Sequence, residues 1–268
     1  MVPAPGTDQP PGALAADLPS DLAAHPAVGP LLARCAFPPP GTAVTCAVSG
    51  GADSLALLVL AAAAGCDVTA VHVDHGLRDG SAAEAAVVVA AAGRVGAAAR
   101  AVTVAVAPGP NLEARARAAR YAVLPPDVLT GHTADDQAET VLLHLMRGAG
   151  IDGLAAMRPD RRPLLALRRA DTAALCAALG LEVVHDPSNH DPAHLRNRVR
   201  HELVPFLAEL SGRDPVPVLV RQAALLRDDA AALDAAATAI DPCHAGDLAA
   251  APVALARRAV RAHLGGLG

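Results

Sequence analysis

The string Ser49-Gly50-Gly51-Ala52-Asp53-Ser54 joins a short β-rich run, residues 42–48 (TAVTCAV), to an Ala- and Leu-rich run of helix length, Ser54 to Ala64. A tight, glycine-paired turn between a strand and a helix constrains this chain more than any other feature, because the alternation it opens is then repeated. Strand-like residues 67–73 precede a helical pattern at 82–95, and a strand at 101–106 precedes a helix at 112–123. A strand near 127–130 then leads to a helix at 134–147. Short strands alternating with helices of about 10–15 residues predict an α/β fold, a parallel sheet with helices on both faces. A Gly- and Arg-rich connection (148–169) leads to a helix at 171–179 and the turn HDPSNHDP. From about Leu195 the pattern is helical, with Pro breaks near 215 and 242, which predicts a small helical domain after the sheet. Residues 1–20 are rich in Pro, Ala and Asp without periodicity and are expected to be a disordered tail. The expected organisation is therefore tail 1–20, α/β domain 21–205 and helical domain 206–268.

Composition removes whole mechanisms. All 22 basic residues are Arg. Without Lys the chain has neither the phosphate-contacting Lys of a P-loop kinase nor a Schiff-base nucleophile, and it cannot carry AMP on a lysine. About a quarter of the 268 residues are Ala, while Phe37, Tyr121 and Phe206 are the only aromatics, so Leu, Val and Ala must fill the core. A formal net charge of −5 gives no overall field for nucleic acid or anionic membrane, so any such attraction is local. The longest uncharged apolar stretch, Ser54 to Cys66, is too short to span a bilayer, and no basic residue before Arg34 marks a secretory leader. Five scattered Cys without a C-x-x-C pair read as free thiols of a reducing cytosol.

The loop has its own chemistry. Two glycines let the backbone turn sharply and aim its N–H groups at an anion. The following helix directs its positive end to the same spot. Ser49 and Ser54 add hydroxyls, and Asp53 can hold Mg²⁺ or orient a nucleophile. The place, beyond the C-terminal end of a central strand, is where open α/β sheets bind ligands. An ordinary βα turn with a Ser or Asp helix cap is the competing explanation.

Four further groups stand out. His72, Asp74 and His75 follow the second strand, either as a strand end or as metal ligands, the first being favoured. Arg117, Arg120 and Tyr121 share one face of the helix that begins after Asn111 and carries Glu113; that face is either solvated or contacts substrate. In Gly131-His132-Thr133-Ala134-Asp135-Asp136-Gln137-Ala138-Glu139-Thr140, Thr133 can cap a helix with Asp136 in the capping-box position. Yet Asp135, Asp136 and Glu139 crowd one turn, where like charges repel. Mg²⁺ or the ammonium of a lysine substrate would relieve that repulsion. Residues 153–200 hold eight Arg and five acids, net +3, against net −5 for 1–150. The basic stretch (Arg158, Arg161, Arg162, Arg168, Arg169, Arg196, Arg198, Arg200) is a candidate RNA-phosphate contact.

The loop resembles that of the N-type ATP pyrophosphatases, the PP-loop superfamily, which cleave ATP to AMP and pyrophosphate without a loop Lys. Within it the chain resembles the tRNA(Ile)-lysidine synthase family from about Val44 to Leu207. The resemblance runs through AVSGGADSLALL (47–58), VHVDHGLR (71–78), NLEARARAARY (111–121), GHTADDQAETVLLHLMRGAGIDGLAAM (131–157), RPLL (162–165) and DPSNHDPAHLRNRVRHELVP (186–205). It implies an adenine-nucleotide alpha hydrolase-like fold and a ligase that uses ATP with Mg²⁺. The implied reaction joins free L-lysine to C2 of the wobble cytidine in CAU-anticodon tRNA(Ile). By resemblance, Ser49, Gly50, Gly51, Ala52, Asp53 and Ser54 bind the nucleotide, and backbone near Val73 meets adenine. Asp53, His132, Asp136 and Glu139 are the expected catalytic residues, and Asp53 and Asp135 the expected Mg²⁺ ligands. Such an enzyme is expected in the cytoplasm, off the membrane, with a second copy of the chain as a candidate partner. Relatives usually continue into a further tRNA-holding domain, so 206–268 reads as a shortened tRNA-contacting region. The rival readings are a related tRNA thiolase, which would need catalytic Cys pairs, and a non-catalytic nucleotide- or RNA-binding protein.

Overall fold

A computed structural model describes residues 21–74, 81–105, 112–186 and 191–265. The expected tail 1–20, His75, Asn111 and the middle of the HDPSNHDP turn lie outside the described residues. Packing divides the chain into two compact units, Met1–Gly131 with Arg169–His185, and His132–Arg168 with Asp186–Gly268. The units interleave along the chain, whereas the sequence pattern suggests one linear boundary at 205/206.

The first unit carries the sheet. A short helix α1 (Gly29–Leu32) precedes β1 (Ala43–Ala47), α2 (Ala52–Ala63), β2 (Asp67–Asp74), α3 (Ser81–Arg94), β3 (Ala98–Thr103), α4 (Leu112–Val123) and β4 (Leu129–Thr130). The strands are parallel in the order β3-β2-β1-β4. The chain steps outward from β1 through β2 to β3, then returns to lay β4 on the other side of β1. The C-terminal end of β1 is therefore the point where strand order reverses, the place such sheets use for ligands. In β2, Val68, Ala70 and His72 are buried on one face and Val71 on the other. On the second face Val71 packs with Leu124 and Val128, beyond the end of α4. Both faces are covered, the helix-flanked parallel sheet expected from the alternation. Helix α2 is buried on every side from Ser54 to Ala61, so it is a central helix rather than an amphipathic surface one. It packs against a later helix, α7 (Arg169–Ala178), also in this unit.

The second unit is helical. Helix α5 (Ala134–Met146) leads into the short α6 (Ile151–Leu154). Later come α8 (Leu195–Arg198), a π turn (Val199–Leu203), α9 (Val204–Ser211), α10 (Val216–Ala237), α11 (Ala245–Ala250) and α12 (Val253–Gly265). The π turn ends two residues before Pro205, whose missing N–H interrupts the normal ladder. Ala134 and Ala138 of α5 pack on Val216 of α10, and Leu142 and Leu143 pack on Val199. Small residues on α5 bring the helices close. At the other end, Arg258 of α12 is buried between Asp152 and Asp234. No helix among the described residues is long and apolar enough to cross a membrane.

Candidate functional site: a nucleotide loop and an acid helix

In the first unit, residues 48–54 leave β1 and turn into α2. The Val48 N–H still pairs with the Val71 carbonyl at 2.9 Å, extending the sheet by one bond. The Val48 carbonyl instead meets Nδ1 of buried His72 at 3.0 Å, which supports the chain where β1 diverges. Nε2 of His72 has no hydrogen-bond partner among the described residues. His72 and Asp74 lie within β2 rather than after it, with His72 supporting the end of β1; His75 is outside the described residues.

Gly50 has φ +88°, a left-handed conformation, and a Cβ there would lie 2.7 Å from Val184 Cγ2. Both the backbone and the space require glycine. Gly51 caps α2 in an extended conformation. The Ser54 hydroxyl donates to the Gly51 carbonyl at 2.8 Å and accepts the Ser49 N–H at 3.1 Å, with Ser49 Oγ 3.3 Å away. Ser54 is thus engaged in shaping the loop, while Ser49 is exposed. A Cβ on Gly131, just after β4, would come within 2.5 Å of the Asp53 carbonyl, so this glycine lets β4 run close against the start of α2. The half-exposed Asp53 carboxylate accepts a hydrogen bond from Thr172 and lies 3.6 Å from Arg169 Nε.

The second unit holds the acids. Thr133 and Asp136 form a capping box at the start of α5: the Thr133 N–H and Oγ1 donate to Asp136 Oδ2 at 2.9 and 3.0 Å. Half-buried His132 immediately precedes the cap. The cations that relieve the crowded carboxylates belong to the chain itself. Arg168 meets Asp135 through Nε at 3.1 Å and Nη2 at 2.9 Å, and also pairs with Asp214. Hydrogen bonding to Asp135 raises the Arg168 pKa further above its ordinary value. Glu139, 1% exposed, takes Arg200 Nε at 2.7 Å and Nη2 at 3.3 Å, and Arg196 Nε lies at 3.8 Å. Arg200 also approaches Asp136 Oδ1 at 3.6 Å. Guanidinium groups of the same unit therefore stand beside all three carboxylates of this turn.

The chain matches the PP-loop domain family over residues 31–207. It is 48% identical to the tRNA(Ile)-lysidine synthase of Nocardia farcinica over 245 residues, spanning 85% of this chain and 77% of that protein. The enzyme of the same name from Rhodococcus erythropolis is 46% identical over 242 residues, with 84% and 74% covered. The chain belongs to the tRNA(Ile)-lysidine synthase family.

Membership in the lysidine synthase family spans both motifs, because a match over 85% of the chain includes the loop and α5 alike. A solved U34-tRNA thiolase of Methanococcus maripaludis shares the fold with a TM-score of 0.55 and 16% identity, covering 70% of this chain and 73% of that one. At that identity the likeness is one of fold alone. Burial pushes the thiols of Cys35, Cys46 and Cys176 up to about 12, which suppresses thiolate chemistry at neutral pH.

Several partners in these clusters escape sequence reasoning. Thr172 and Arg169 reach Asp53 from a separate part of the chain, and nothing local signals them. Arg196 and Arg200 had a readable signal: in a helix, residues four apart share a face, and Arg198 lies off it. Arg198 is exposed and pairs with Glu202, while the other two turn toward Glu139. Of the eight Arg read as an RNA surface, Arg168, Arg169, Arg196, Arg198 and Arg200 are in ion pairs. Arg158 and Arg161 are exposed.

Proposed function

We propose that the chain adenylates the wobble cytidine of CAU-anticodon tRNA(Ile) with ATP and then joins free L-lysine to its C2, giving lysidine. The C2 carbonyl oxygen attacks the α-phosphorus and pyrophosphate leaves. The lysine Nε then bonds to C2, AMP departs with the former carbonyl oxygen, and the amine gives up its proton. The observation that carries this reading is the 48% identity to a lysidine synthase across both the loop and the acid helix.

The residues suit the demands. The turn at Gly50 and Gly51 offers backbone N–H groups and the start of α2 to the phosphates, and the Ser54 bonds hold that turn in shape. Asp53 would hold Mg²⁺, which supplies charge neutralisation on the phosphates. One carboxylate is enough where phosphates and water complete the shell. Asp135, the other expected ligand, fits the ion less well because Arg168 contacts both its oxygens.

Lysine's amine, with a solution pKa of about 10.4, is almost wholly protonated at neutral pH and must lose a proton to react. His132 and Asp136 are the groups we assign to receiving the ammonium and its proton. Glu139, buried behind Arg200, serves the same step by fixing that guanidinium. Exposed Arg158 and Arg161 are the assigned tRNA phosphate contacts, and the setting is the cytoplasm. A second copy of the chain stays a candidate partner.

The deciding experiment is ATP–pyrophosphate release with lysine and a CAU-anticodon tRNA(Ile) transcript, against tRNA(Met). Release that requires lysine and tRNA(Ile) for turnover supports the reading; equal activity on both tRNAs removes the specificity. Thiolated product in place of lysidine would favour the thiolase reading.

A further inference from the structure

The Asp53 carboxylate is gripped by a segment that the steps above leave without a role. From α7 onward the chain returns to the loop three times. The Val184 N–H donates to the Gly50 carbonyl at 3.0 Å, and the Cys176 thiol donates to the Ala52 carbonyl at 3.4 Å. The Thr172 hydroxyl donates to Asp53 Oδ1, across 119 positions of sequence. Thr172 is 0% exposed, so no water competes for its proton. That proton has two acceptors, Asp53 Oδ1 and the Arg169 carbonyl at 2.8 Å, and a charged acceptor makes the stronger bond. With Oδ1 fixed, the side-chain torsion of Asp53 is fixed too. Arg169 Nε lies 3.6 Å from Oδ2 and adds positive charge beside the carboxylate.

We infer that Thr172 is a positioning residue for ATP activation: its hydroxyl holds the Asp53 carboxylate in one orientation for its work on the nucleotide. The inference rests on the nucleotide role proposed for Asp53. A carboxylate already oriented need not be ordered when ATP arrives, and that ordering is what a preorganised site avoids.

The test uses the full chain, with two readouts: lysine- and tRNA-dependent pyrophosphate release, and calorimetric binding of the α,β-methylene analogue of ATP with Mg²⁺. Loss of a hydrogen bond to a charged group predicts that Thr172→Val lowers kcat/KM for ATP and weakens analogue binding by about tenfold, with lysine KM unchanged. Thr172→Ser, which keeps the hydroxyl, returns both to near the parent values. Parental behaviour of Thr172→Val overturns the inference. So does a serine variant as impaired as the valine one, or a loss shared equally by lysine KM. If Thr172→Val does not fold, Thr172→Ala is measured in its place, with the same expected and overturning results. Asp53→Asn keeps the two levels apart. If it releases pyrophosphate like the parent, the role of Asp53 fails. If it is inactive while Thr172→Val is parental, only the positioning role fails.

Discussion

In the turn of residues 49–54 the groups proposed to meet a ligand are backbone amides and one half-exposed carboxylate, shaped by bonds within the turn and by Thr172, Cys176 and Val184 from a distant segment. In the first two turns of α5 the groups are three carboxylates, and arginines 33 to 61 residues away already pair with them. The loop keeps its binding capacity open because amides carry no net charge and cost little to leave facing water. The acid turn cannot do so. A buried carboxylate without a partner is far more costly than an unpaired amide at a helix start, so the fold itself supplies the counter-charge. The turn proposed for the nucleotide presents uncharged donors, whereas the acid turn is a charge cluster paired with arginines of its own unit.

The sharpest way to break this comparison is to unbalance the acid turn. Arg200→Met removes the guanidinium 2.7 Å from buried Glu139, while Arg196 stays at 3.8 Å. Removing one partner of a buried pair costs about 3–5 kcal/mol, so the urea midpoint should fall steeply. The double variant Arg200→Met/Glu139→Leu should recover much of that loss. If the single variant is as stable as the parent, Glu139 is not the buried partner described.

Asp53→Asn probes the opposite region. It should leave the urea midpoint nearly unchanged yet cut pyrophosphate release by about a hundredfold or more, the scale of losing one preorganised electrostatic contact. Asp135→Asn, in the other unit, should do the reverse, weakening stability through Arg168 while costing less activity. Equal activity losses in the two variants would erase the functional distinction between the two carboxylates.

How much of this was legible in the chain follows the same division. The loop is local, so its strand, glycines and helix could be read together; α4 spans Leu112–Val123 as its periodicity predicts, and α5 ends one residue short of the predicted 147. Strand β3 begins three residues before the expected 101, and β4 keeps only Leu129 and Thr130. In both, pairing with a neighbouring strand rather than β propensity sets the limits. The capping box could be read from Thr133 and Asp136, since a cap is a three-residue relation. The partners of Asp53, Asp135 and Glu139 could not, because tertiary contact brings them together. Ala156, with φ +53°, breaks the local rule that favours glycine there. The backbone on either side of it is held by Gln137, which exchanges two bonds with Met157, and by Arg227 on the Ala155 and Met157 carbonyls.

Glycine substitutions sharpen the comparison at smaller scale. Gly50→Ala must place a Cβ at φ +88° and 2.7 Å from Val184 Cγ2. Gly148→Ala meets a similar φ of +74° with nothing within 4 Å. The torsional cost alone is about 1–2 kcal/mol, so Gly148→Ala should show that loss in a melting experiment and Gly50→Ala distinctly more. Gly50→Ala should also impair ATP analogue binding. If Val184→Ala restores part of that binding in the Gly50→Ala background, the contact with Val184 is what shapes the loop.

The smallest effect at ordinary pH concerns the thiols. Burial raises Cys46, Cys35 and Cys176 from 9.0 to about 12, with the Asp53 charge adding to the rise at Cys176 and Arg34 opposing it at Cys35. A thiol whose folded pKa lies above its unfolded value contributes stability that is intact below pH 9.0 and is lost as pH climbs toward about 12. Between pH 7 and 8.5 the melting temperature should therefore be insensitive to these groups, and it should decline from pH 9 upward. Brief iodoacetamide treatment of the native protein at pH 8 should label exposed Cys243 and spare Cys46 and Cys176, as counted by intact mass. Because Cys176 donates to the Ala52 carbonyl, saturating ATP analogue should slow its eventual labelling at pH 9.5 and leave that of Cys243 alone. Protection of both cysteines alike would mean that nucleotide binding tightens the whole chain rather than the loop.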